Sequence, residues 1–406
     1  MRDRKSTHPK LLLVHEEAKD DPVTKRIIER LPDAKVVSIK DASDPLNTRS
    51  GASNILSQAF GDLDSLSEAE RFSIGKRVLM LKHHKGSWLK GCPGTSGHVC
   101  CNLFIVNPGE GCPLDCTYCY LQSYLKNNPT LKLYTNTWDL LNELEGVFQK
   151  SPNRLFRVGT GELMDSLVWD DLTDSTIELV SFFSRFDNAV LELKSKDDYV
   201  ENLLAMKDEH RGKTVVSWSV NAPSVSRLDE KSTSTFDERL FAASQVVKAG
   251  YRVGFHFDPL VHFSGWEDEY SEIIRKIFLT IPHDRVAWVS ISSLRYKTDL
   301  QEMMKERFPE SSLPYGEQFL ARDSKLRYIQ PIRFKLIRFV WNELKAVSSE
   351  MPIYMCMESA AAWREIAGGP PNAGEEIREV FGRGVGVIAN KSASTSLQKT
   401  RLPVVY

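Results

Sequence analysis

The apolar positions of this chain form short runs that alternate with segments of helical periodicity. An apolar run at 10–16 is followed by an amphipathic segment at 23–31, entered through Pro22, and by a second apolar run at 34–39. This order predicts one small βαβ unit in the amino-terminal region. Residues 40–73 are rich in Ser, Asp, Asn and Gly, which indicates a linker with one short helix near 66–72.

A longer alternation begins at residue 103. Apolar runs that predict strands occupy 103–107, 155–158, 189–194, 214–220, 253–257 and 286–292, and a segment of helical periodicity follows each of them. Nearly continuous apolar strands that alternate with helices are typical of a parallel sheet covered on its faces. We therefore predict an α/β fold: an incomplete (β/α)6 TIM-like barrel with an N-terminal α/β extension and a C-terminal α/β segment.

The same pattern suggests three regions along the chain. We expect residues 1–98 to form the N-terminal extension and linker, and residues 99–320 to form the partial barrel. Residues 321–406 contain a basic segment, an apolar run at 353–357, helical segments at 360–366 and 375–380, and a polar tail. This last region is expected to form a small α/β cap.

Polar side chains gather at the carboxyl ends of the predicted barrel strands, where the active site of a barrel lies. Period-two alternation groups them by face: Glu192, Lys194 and Lys196 on the third strand, Ser217, Ser219 and Asn221 on the fourth, and His256 and Asp258 on the fifth, with Glu162 and Arg295 just after the second and sixth. Each one alone is as consistent with an ordinary strand cap. Together they predict a polar cavity at the barrel mouth.

Composition limits the class of protein. The 406 residues are 41% hydrophobic and 26% charged, and no apolar run is long enough to span a bilayer, so we expect a cytoplasmic protein without a membrane partner. The net charge is −1, so any binding of nucleic acid must come from local patches. Seven cysteines, an odd number and mostly clustered, do not suggest a disulfide framework.

Three of those cysteines, Cys112, Cys116 and Cys119, stand in a C-x3-C-x2-C spacing within one short loop. A structural zinc ion usually takes four protein ligands, and no fourth Cys or His lies beside these three. Three thiolates therefore suit a 4Fe–4S cluster with one open iron better than a zinc knuckle. The spacing resembles the signature of radical S-adenosylmethionine (SAM) enzymes.

Two stretches are locally basic. Residues 82–90 place Lys82, His83, His84, Lys85 and Lys90 around Trp88, which is consistent with a solvated loop or with a loop that contacts phosphate. Residues 322–338 interleave six basic residues with Tyr328 and Phe334. Arg327, Tyr328 and Arg333 are candidate DNA contacts, and an amphipathic helix with a basic solvated face is the alternative for the later part.

With these features in view, the chain resembles the spore photoproduct lyase family of radical SAM DNA-repair enzymes. The resemblance covers about 103–338 and rests on the following blocks: Gly111 to Gln122, Lys194-Ser195-Lys196, Trp218-Ser219-Val220-Asn221-Ala222, Gly254-Phe255, Gly265-Trp266-Glu267, Arg295-Tyr296 and Arg327-Tyr328. It implies a lyase that cleaves SAM reductively to a 5′-deoxyadenosyl radical and repairs thymine photodimers in damaged DNA. It also implies an electron donor such as flavodoxin or ferredoxin.

The resemblance assigns roles by position. Cys112, Cys116 and Cys119 would ligate the 4Fe–4S cluster, and Tyr118 and Tyr120 would relay a hydrogen atom. The residues expected to bind SAM are Glu162, Lys194, Lys196, Ser219 and Asn221.

One departure from the family concerns the hydrogen donor. Family members that repair spore DNA have a donor cysteine just after the second strand, where this chain has Thr160. A threonine O–H bond is too strong to give a hydrogen atom to a carbon radical. Cys92, Cys100 and Cys101 also lie outside the family pattern, and we interpret them as a structural cluster or as buried core thiols.

Two other functions remain open at this point. The same scaffold and cofactors can act on another base, nucleotide or peptide. A zinc- or cluster-bearing nucleic-acid-binding protein without catalysis is the alternative from another class, and it predicts no SAM pocket at the barrel mouth.

Overall fold

The structure is a computed structural model that describes residues 7–43, 45–46, 56–57, 60–63, 65–94, 98–99 and 101–369. Cys100, the predicted helix at 375–380 and the polar tail lie outside the described residues. The strands are β1 (Leu11–His15), β2 (Lys35–Ile39), β3 (Val78–Lys82), β4 (Lys90–Gly91), β5 (Leu103–Ile105), β6 (Gly109–Glu110), β7 (Asp115–Cys116), β8 (Leu131–Tyr134), β9 (Phe156–Gly159), β10 (Ala189–Ser195), β11 (Thr214–Ser219), β12 (Glu230–Lys231), β13 (Arg252–Leu260), β14 (Val286–Ser293), β15 (Arg295–Lys297), β16 (Gln318–Leu320), β17 (Lys325–Tyr328) and β18 (Ile353–Met355).

The helices cover the faces of the sheets. They are α1 (Pro22–Arg30), α2 (Glu68–Gly75), α3 (Leu121–Tyr124), α4 (Thr137–Lys150), α5 (Asp170–Thr173), α6 (Ser175–Phe183), α7 (Glu201–Ala205), α8 (Asp208–Arg211), α9 (Pro223–Asp229), α10 (Phe236–Lys248), α11 (Trp266–Thr280), α12 (Thr298–Arg307), α13 (Gln330–Val347) and α14 (Ala360–Ala367). Asp174 has φ = 54°, and this left-handed residue divides the helix predicted over 171–183 into α5 and α6. Among the described residues, no helix is long and apolar enough to cross a membrane.

The larger sheet is a curled half-barrel with the strand order β18-β14-β13-β11-β10-β9-β5-β4. The six predicted barrel strands, β5, β9, β10, β11, β13 and β14, are all present, adjacent and parallel. This confirms the predicted partial barrel. The sequence assigned β18 to the C-terminal cap, but it pairs in parallel with β14 and extends the barrel.

A smaller sheet has the order β2-β1-β3-β8-β6, in which β2, β1, β3 and β8 run parallel. It contains the predicted βαβ unit as β1, α1 and β2. Pairing of β6 and β8 brings strands from beyond residue 98 into this sheet, while β18 brings a strand from beyond residue 320 into the barrel. The predicted boundaries at 98/99 and 320/321 therefore do not separate the two sheets.

The barrel interior is tightly packed around one glycine of β13. A Cβ atom on Gly254 would lie 2.5 Å from Ser217 Oγ and 2.8 Å from Trp288 Nε1. Both of these atoms donate hydrogen bonds to Glu192, so the absence of a side chain at residue 254 lets them reach that carboxylate.

Candidate active site

The loop with three cysteines leaves the barrel after β5 and begins with a glycine that its backbone requires. Gly111 has φ = +85°, and a Cβ there would lie 2.6 Å from Leu131 Cδ2. The loop is then fixed by pairing of β7 with β12, which sets Cys116 opposite Glu230, and by Thr117 N, which donates to Asp229 O at 2.8 Å.

Two cations hold the outside of the same loop. Lys76 Nζ donates to Cys112 O at 2.8 Å and to Leu114 O at 2.6 Å. Arg307 Nη2 donates to both carboxylate oxygens of Asp115, at 2.8 and 2.9 Å. Because charged donors make strong hydrogen bonds, these contacts hold the loop backbone and the Asp115 side chain in place.

The thiols of Cys112, Cys116 and Cys119 are free, and Cys116 is buried. Burial raises the pKa of all three, to about 12 for Cys112, so the thiolates need a positive partner such as iron. In the described part of the chain, no three His, Cys, Asp or Glu side chains converge on a single metal ion. Three thiols on one short loop could each supply a thiolate to one iron of a 4Fe–4S cluster.

A buried carboxylate that the sequence reasoning missed lies against this loop. Glu230 accepts hydrogen bonds from Lys196 Nζ at 3.0 Å, from Arg239 Nη2 at 2.7 Å and from the Tyr118 hydroxyl. Burial alone would raise its pKa, but Lys196 and Arg239 hold the pKa well below its usual value. Asn221 Nδ2 lies 3.4 Å from the same carboxylate. Glu230 thus joins the predicted residues Tyr118, Lys196 and Asn221 into one network.

The second predicted tyrosine lies on another side of the mouth. The Tyr120 hydroxyl donates to Glu162 O at 2.7 Å, and 46% of this residue is exposed. The Glu162 carboxylate accepts from Asn107 Nδ2 at 3.4 Å, and burial raises its pKa. Tyr120 and Glu162 therefore form a pair distinct from the Glu230 network.

The remaining predicted SAM-binding residues lie at the strand ends as expected. Ser219 is buried at the end of β11, and its carbonyl accepts from Arg239 Nη1 at 2.8 Å. Lys194 lies near Asp258, whose pKa stays low despite burial because of Arg295 and Lys194. Arg295 Nη1 donates to Asp258 Oδ1 at 3.2 Å, so the predicted polar residues of the last strands are also in contact.

Deeper in the barrel, Glu192 accepts hydrogen bonds from four strands. The donors are Arg157 Nε at 2.9 Å, Ser217 Oγ at 3.0 Å, His256 Nε2 at 2.8 Å and Trp288 Nε1 at 2.9 Å. The inward faces predicted for Glu192, Ser217 and His256 are therefore correct. Arg157 was not predicted, although a charged residue between Phe156 and Val158 in an apolar strand was a usable signal.

Thr160 occupies a closed position just after β9. Its side chain is buried, and Oγ1 donates to Ser166 Oγ at 2.8 Å. Ser166 Oγ in turn accepts from Lys194 N at 3.0 Å. The threonine hydroxyl is thus part of the contact between the β9 loop and β10.

The other described cysteines are placed differently. Cys101 and Cys356 are half-buried and pack against the barrel core. Burial, and then the nearby Cys101 thiol, raise the pKa of Cys356. Cys92 is also half-buried. The interpretation as core thiols fits Cys101, and no metal-binding group of three side chains was found in the described residues around them.

The three predicted DNA contacts are engaged within the chain. Arg327 is buried and pairs with Asp323, and the Tyr328 hydroxyl accepts from His262 N at 3.2 Å. Arg333 lies 3.4 Å from Glu358, with 13% of its side chain exposed. These side chains hold the β16–β17 hairpin and the start of α13 and present little charge to solvent.

Comparisons with known proteins agree with this geometry. A family profile described as spore photoproduct lyase matches residues 8–352. The spore photoproduct lyase of Geobacillus sp. (strain Y412MC61) is 29% identical over 245 residues, which cover 60% of this chain and 69% of the relative. That of Bacillus subtilis (strain 168) is 28% identical over 217 residues, 53% of this chain and 63% of the relative.

Solved structures share the fold. A spore photoproduct lyase complexed with dinucleoside spore photoproduct superposes with a TM-score of 0.72 at 22% identity, covering 86% of this chain and 99% of the other. A mutant of such a lyase with bound AdoMet and the same dinucleoside has the same TM-score, identity and coverage of this chain.

The family match spans most of the chain and includes the cysteine loop, the barrel and the β16–β17 hairpin. It confirms the resemblance to the spore photoproduct lyases that the sequence motifs indicated. This chain belongs to the spore photoproduct lyase family.

Proposed function

We propose that this chain repairs thymine photodimers in DNA by radical SAM lyase chemistry, with the crosslinked dimer called spore photoproduct as its substrate. The observation that carries the proposal is the Tyr118 phenol, which lies between two cysteines of the loop in sequence and bonds to the buried Glu230. A hydrogen-bonding phenol is thereby fixed beside the thiols at the barrel mouth. The resemblance to this family assigns the relay of a hydrogen atom to the tyrosine at this position.

The cofactors would be held by residues already described. Cys112, Cys116 and Cys119 would ligate the cluster, with Lys76 and Arg307 holding their loop. When bound, the cluster and SAM would supply radical chemistry for hydrogen abstraction from the lesion, with one electron from a donor such as flavodoxin or ferredoxin.

The SAM contacts are proposed from charge and position. Lys196 or Lys194 would pair with the SAM carboxylate, since both ammonium groups lie at the carboxyl end of β10. Glu162 would accept from the ribose hydroxyls, and Ser219 and Asn221 would contribute hydrogen bonds. Arg239 supports this arrangement because it holds the Ser219 carbonyl and Glu230 together.

The hydrogen relay is proposed for Tyr118 and Tyr120. Glu230 orients the first phenol, and the Glu162 carbonyl orients the second. Thr160 cannot replace a thiol, because its O–H bond is too strong and its hydroxyl is committed to Ser166. The final hydrogen atom would therefore come from a tyrosine or from an external reductant.

DNA would meet the chain at the β16–β17 hairpin. Phe319 and Leu320 are 43% and 59% exposed, and Arg322 follows them at the exposed turn. Exposed apolar side chains can wedge between base steps while a neighbouring arginine contacts phosphate. The hairpin pairs with β15 through Arg295 and Arg327, which connects it directly to the barrel mouth. In this proposal Arg327, Tyr328 and Arg333 support the DNA-facing surface from behind.

The test is an anaerobic assay of reconstituted protein with SAM, a one-electron reductant and dinucleoside spore photoproduct. We expect 5′-deoxyadenosine and free thymidine to form together, and Cys119→Ala to abolish both. If 5′-deoxyadenosine forms without any repaired thymidine, the substrate is a different base, nucleotide or peptide. The replacement of the donor cysteine by Thr160 is the feature that favours this second candidate.

A further inference from the structure

The smaller sheet contains a point at which ligands bind in other α/β proteins. The chain passes from β1 through α1 to β2 on one side of β1, and then crosses to β3 on the other side. Connections thus leave β1 and β3 in opposite directions. In open parallel sheets, the crevice outside the carboxyl ends of two such strands is the usual binding position.

A cavity of about 160 Å3 lies at this point, outside the barrel and its proposed active site. Since a cavity needs only about 10–15 Å3 of this kind of space to hold one water molecule, it has room for a phosphate group. Its walls come from the residues at and just after the carboxyl ends of the parallel strands. Those that matter here are His15, Glu17, Lys82, His83, His84 and Lys85.

Lysine and histidine side chains dominate these walls. Lys82 Nζ donates to Ala42 O at 2.9 Å at the end of β3. Lys85 Nζ lies 3.0 Å from Glu17, and His83 Nε2 lies 2.8 Å from Asp21. Two lysines and three histidines therefore surround the space, with Glu17 and Asp21 as the carboxylates that face them.

The pKa of Glu17 indicates that the cavity is electropositive. Its pKa is lowered, first by the hydrogen bond from Lys85 and then by the charge of Lys85 and by His15 and His83. The cavity thus favours a negative group, and Glu17 is an exposed carboxylate of the chain itself that a ligand anion could displace from Lys85.

The loop that carries these side chains is held by hydrogen bonds and ring contacts, although Lys85, Gly86 and Ser87 are exposed to solvent. His84 N donates to Asn136 Oδ1 at 2.8 Å, and the Asn136 amide donates back to His84 O at 3.1 Å. The His84 ring packs against Trp88 and Tyr134, with centroids 4.4 and 4.8 Å away. Glu143 then accepts from the backbone nitrogen of Trp88 at 3.0 Å. A rigid loop of donors at a strand end is a preorganised site.

We propose that this crevice binds a phosphate group. The phosphate belongs either to a free nucleotide or to the backbone of a nucleic acid. The chemistry of recognition is the same for both sources, because ammonium and imidazole donors pair with phosphate oxygens in either.

The experiment measures binding of ADP, inorganic pyrophosphate and an undamaged DNA duplex to the reconstituted holoprotein by titration calorimetry. The first test variant combines His84→Gln with Lys85→Gln. The second is Lys85→Gln alone, which carries less risk to folding because the Lys85 side chain is 68% exposed. The matched control is Lys40→Gln, which removes the same charge from a side chain that is 86% exposed and does not line the cavity.

We expect the test variants to bind at least one of these probes at least fivefold more weakly, while Lys40→Gln binds like the parent. Loss confined to ADP and pyrophosphate identifies a free nucleotide as the source. Loss of affinity for the duplex alone, with a shallower dependence of the remaining affinity on salt concentration, identifies a DNA backbone phosphate as the source. Unchanged binding of all three probes, or an equal loss in Lys40→Gln, would overturn the proposal.

Discussion

Two buried carboxylates, Glu192 and Glu230, occupy similar electrostatic environments in different parts of the molecule. Each is almost completely buried, each bonds to one buried arginine, and each has a pKa held well below the usual range by cations that outweigh the effect of burial. The arginine is Arg157 for Glu192 and Arg239 for Glu230.

The partners of the two carboxylates come from different kinds of element. All the donors to Glu192 named above lie on barrel strands, so this network joins the strands in the interior. Glu230 instead receives Tyr118 from the cysteine loop, Lys196 from the loop after β10 and Arg239 from α10. The comparison teaches that one kind of interaction, a buried arginine–glutamate pair, stabilises the barrel interior in one place and positions a functional loop in the other.

The largest effect on stability is expected for Glu192→Gln. Removing this charge leaves Arg157 buried without its anion, and breaking a buried pair in this way costs about 3–5 kcal/mol. Urea unfolding measures the change. Glu272→Gln, which breaks the exposed pair with Arg275, is the matched control and should cost less than about 1 kcal/mol. Equal losses in the two variants would contradict the assigned role of Glu192.

A smaller effect is expected from pH, and it should arise from the Glu192 network. Burial and then Lys194 lower the pKa of His256 from 6.5 to about 4, and Arg157 also opposes its protonation. The unfolded chain therefore takes up this proton first as the pH falls. The titration of His256 should therefore lower the free energy of unfolding by at most about 1.4 kcal/mol per pH unit between pH 6.5 and about 4. Other titrating groups add their own contributions. The free energy of unfolding is measured by urea at several pH values in this range. Plotted against pH, it should have a steeper slope for the parent than for His256→Gln, and identical slopes would refute the assignment.

Removal of one phenol from each network should separate their roles. Tyr118→Phe and Tyr354→Phe each remove a hydroxyl, the first from Glu230 and the second from Arg157, and each should cost about 1 kcal/mol of stability. Only Tyr118→Phe should lower lesion turnover, by at least tenfold, with SAM binding and cluster content retained. Turnover is measured as thymidine released. A tenfold loss of turnover in Tyr354→Phe as well would show that the two networks do not differ in function.

No change in stability is expected for the exposed side of the β16–β17 hairpin, where only DNA affinity should respond. Leu320→Ala with Arg322→Gln should weaken binding of lesion-containing duplex at least fivefold and leave the urea midpoint unchanged, because both side chains are exposed. Arg327→Gln should instead lower the midpoint, since that guanidinium is buried against Asp323. Fluorescence anisotropy measures the affinity. Parent-like affinity in the double variant would exclude this hairpin as the DNA surface.

Much of the site was predictable because strand periodicity assigns a face to each residue. The alternation in β10, β11 and β13 placed Glu192, Ser217 and His256 inside the barrel, and the structure confirms this. Glu230 was not predictable in the same way. It follows the short helix α9, and nothing in the local pattern distinguishes it from an exposed helix-end residue until β12 pairs with the cysteine loop.

The sequence by itself determined the cysteine loop, the order of the barrel strands and the family, because ligand spacing and apolar periodicity are local properties of the chain. Only the tertiary structure decided how the two sheets share strands, why Arg327 and Tyr328 are buried, and which anion fixes Tyr118. These features depend on contacts between residues far apart in the chain, such as Tyr118 and Glu230, which are separated by 112 in sequence number. Such contacts form only when packing of the whole barrel compensates the cost of burying the charges.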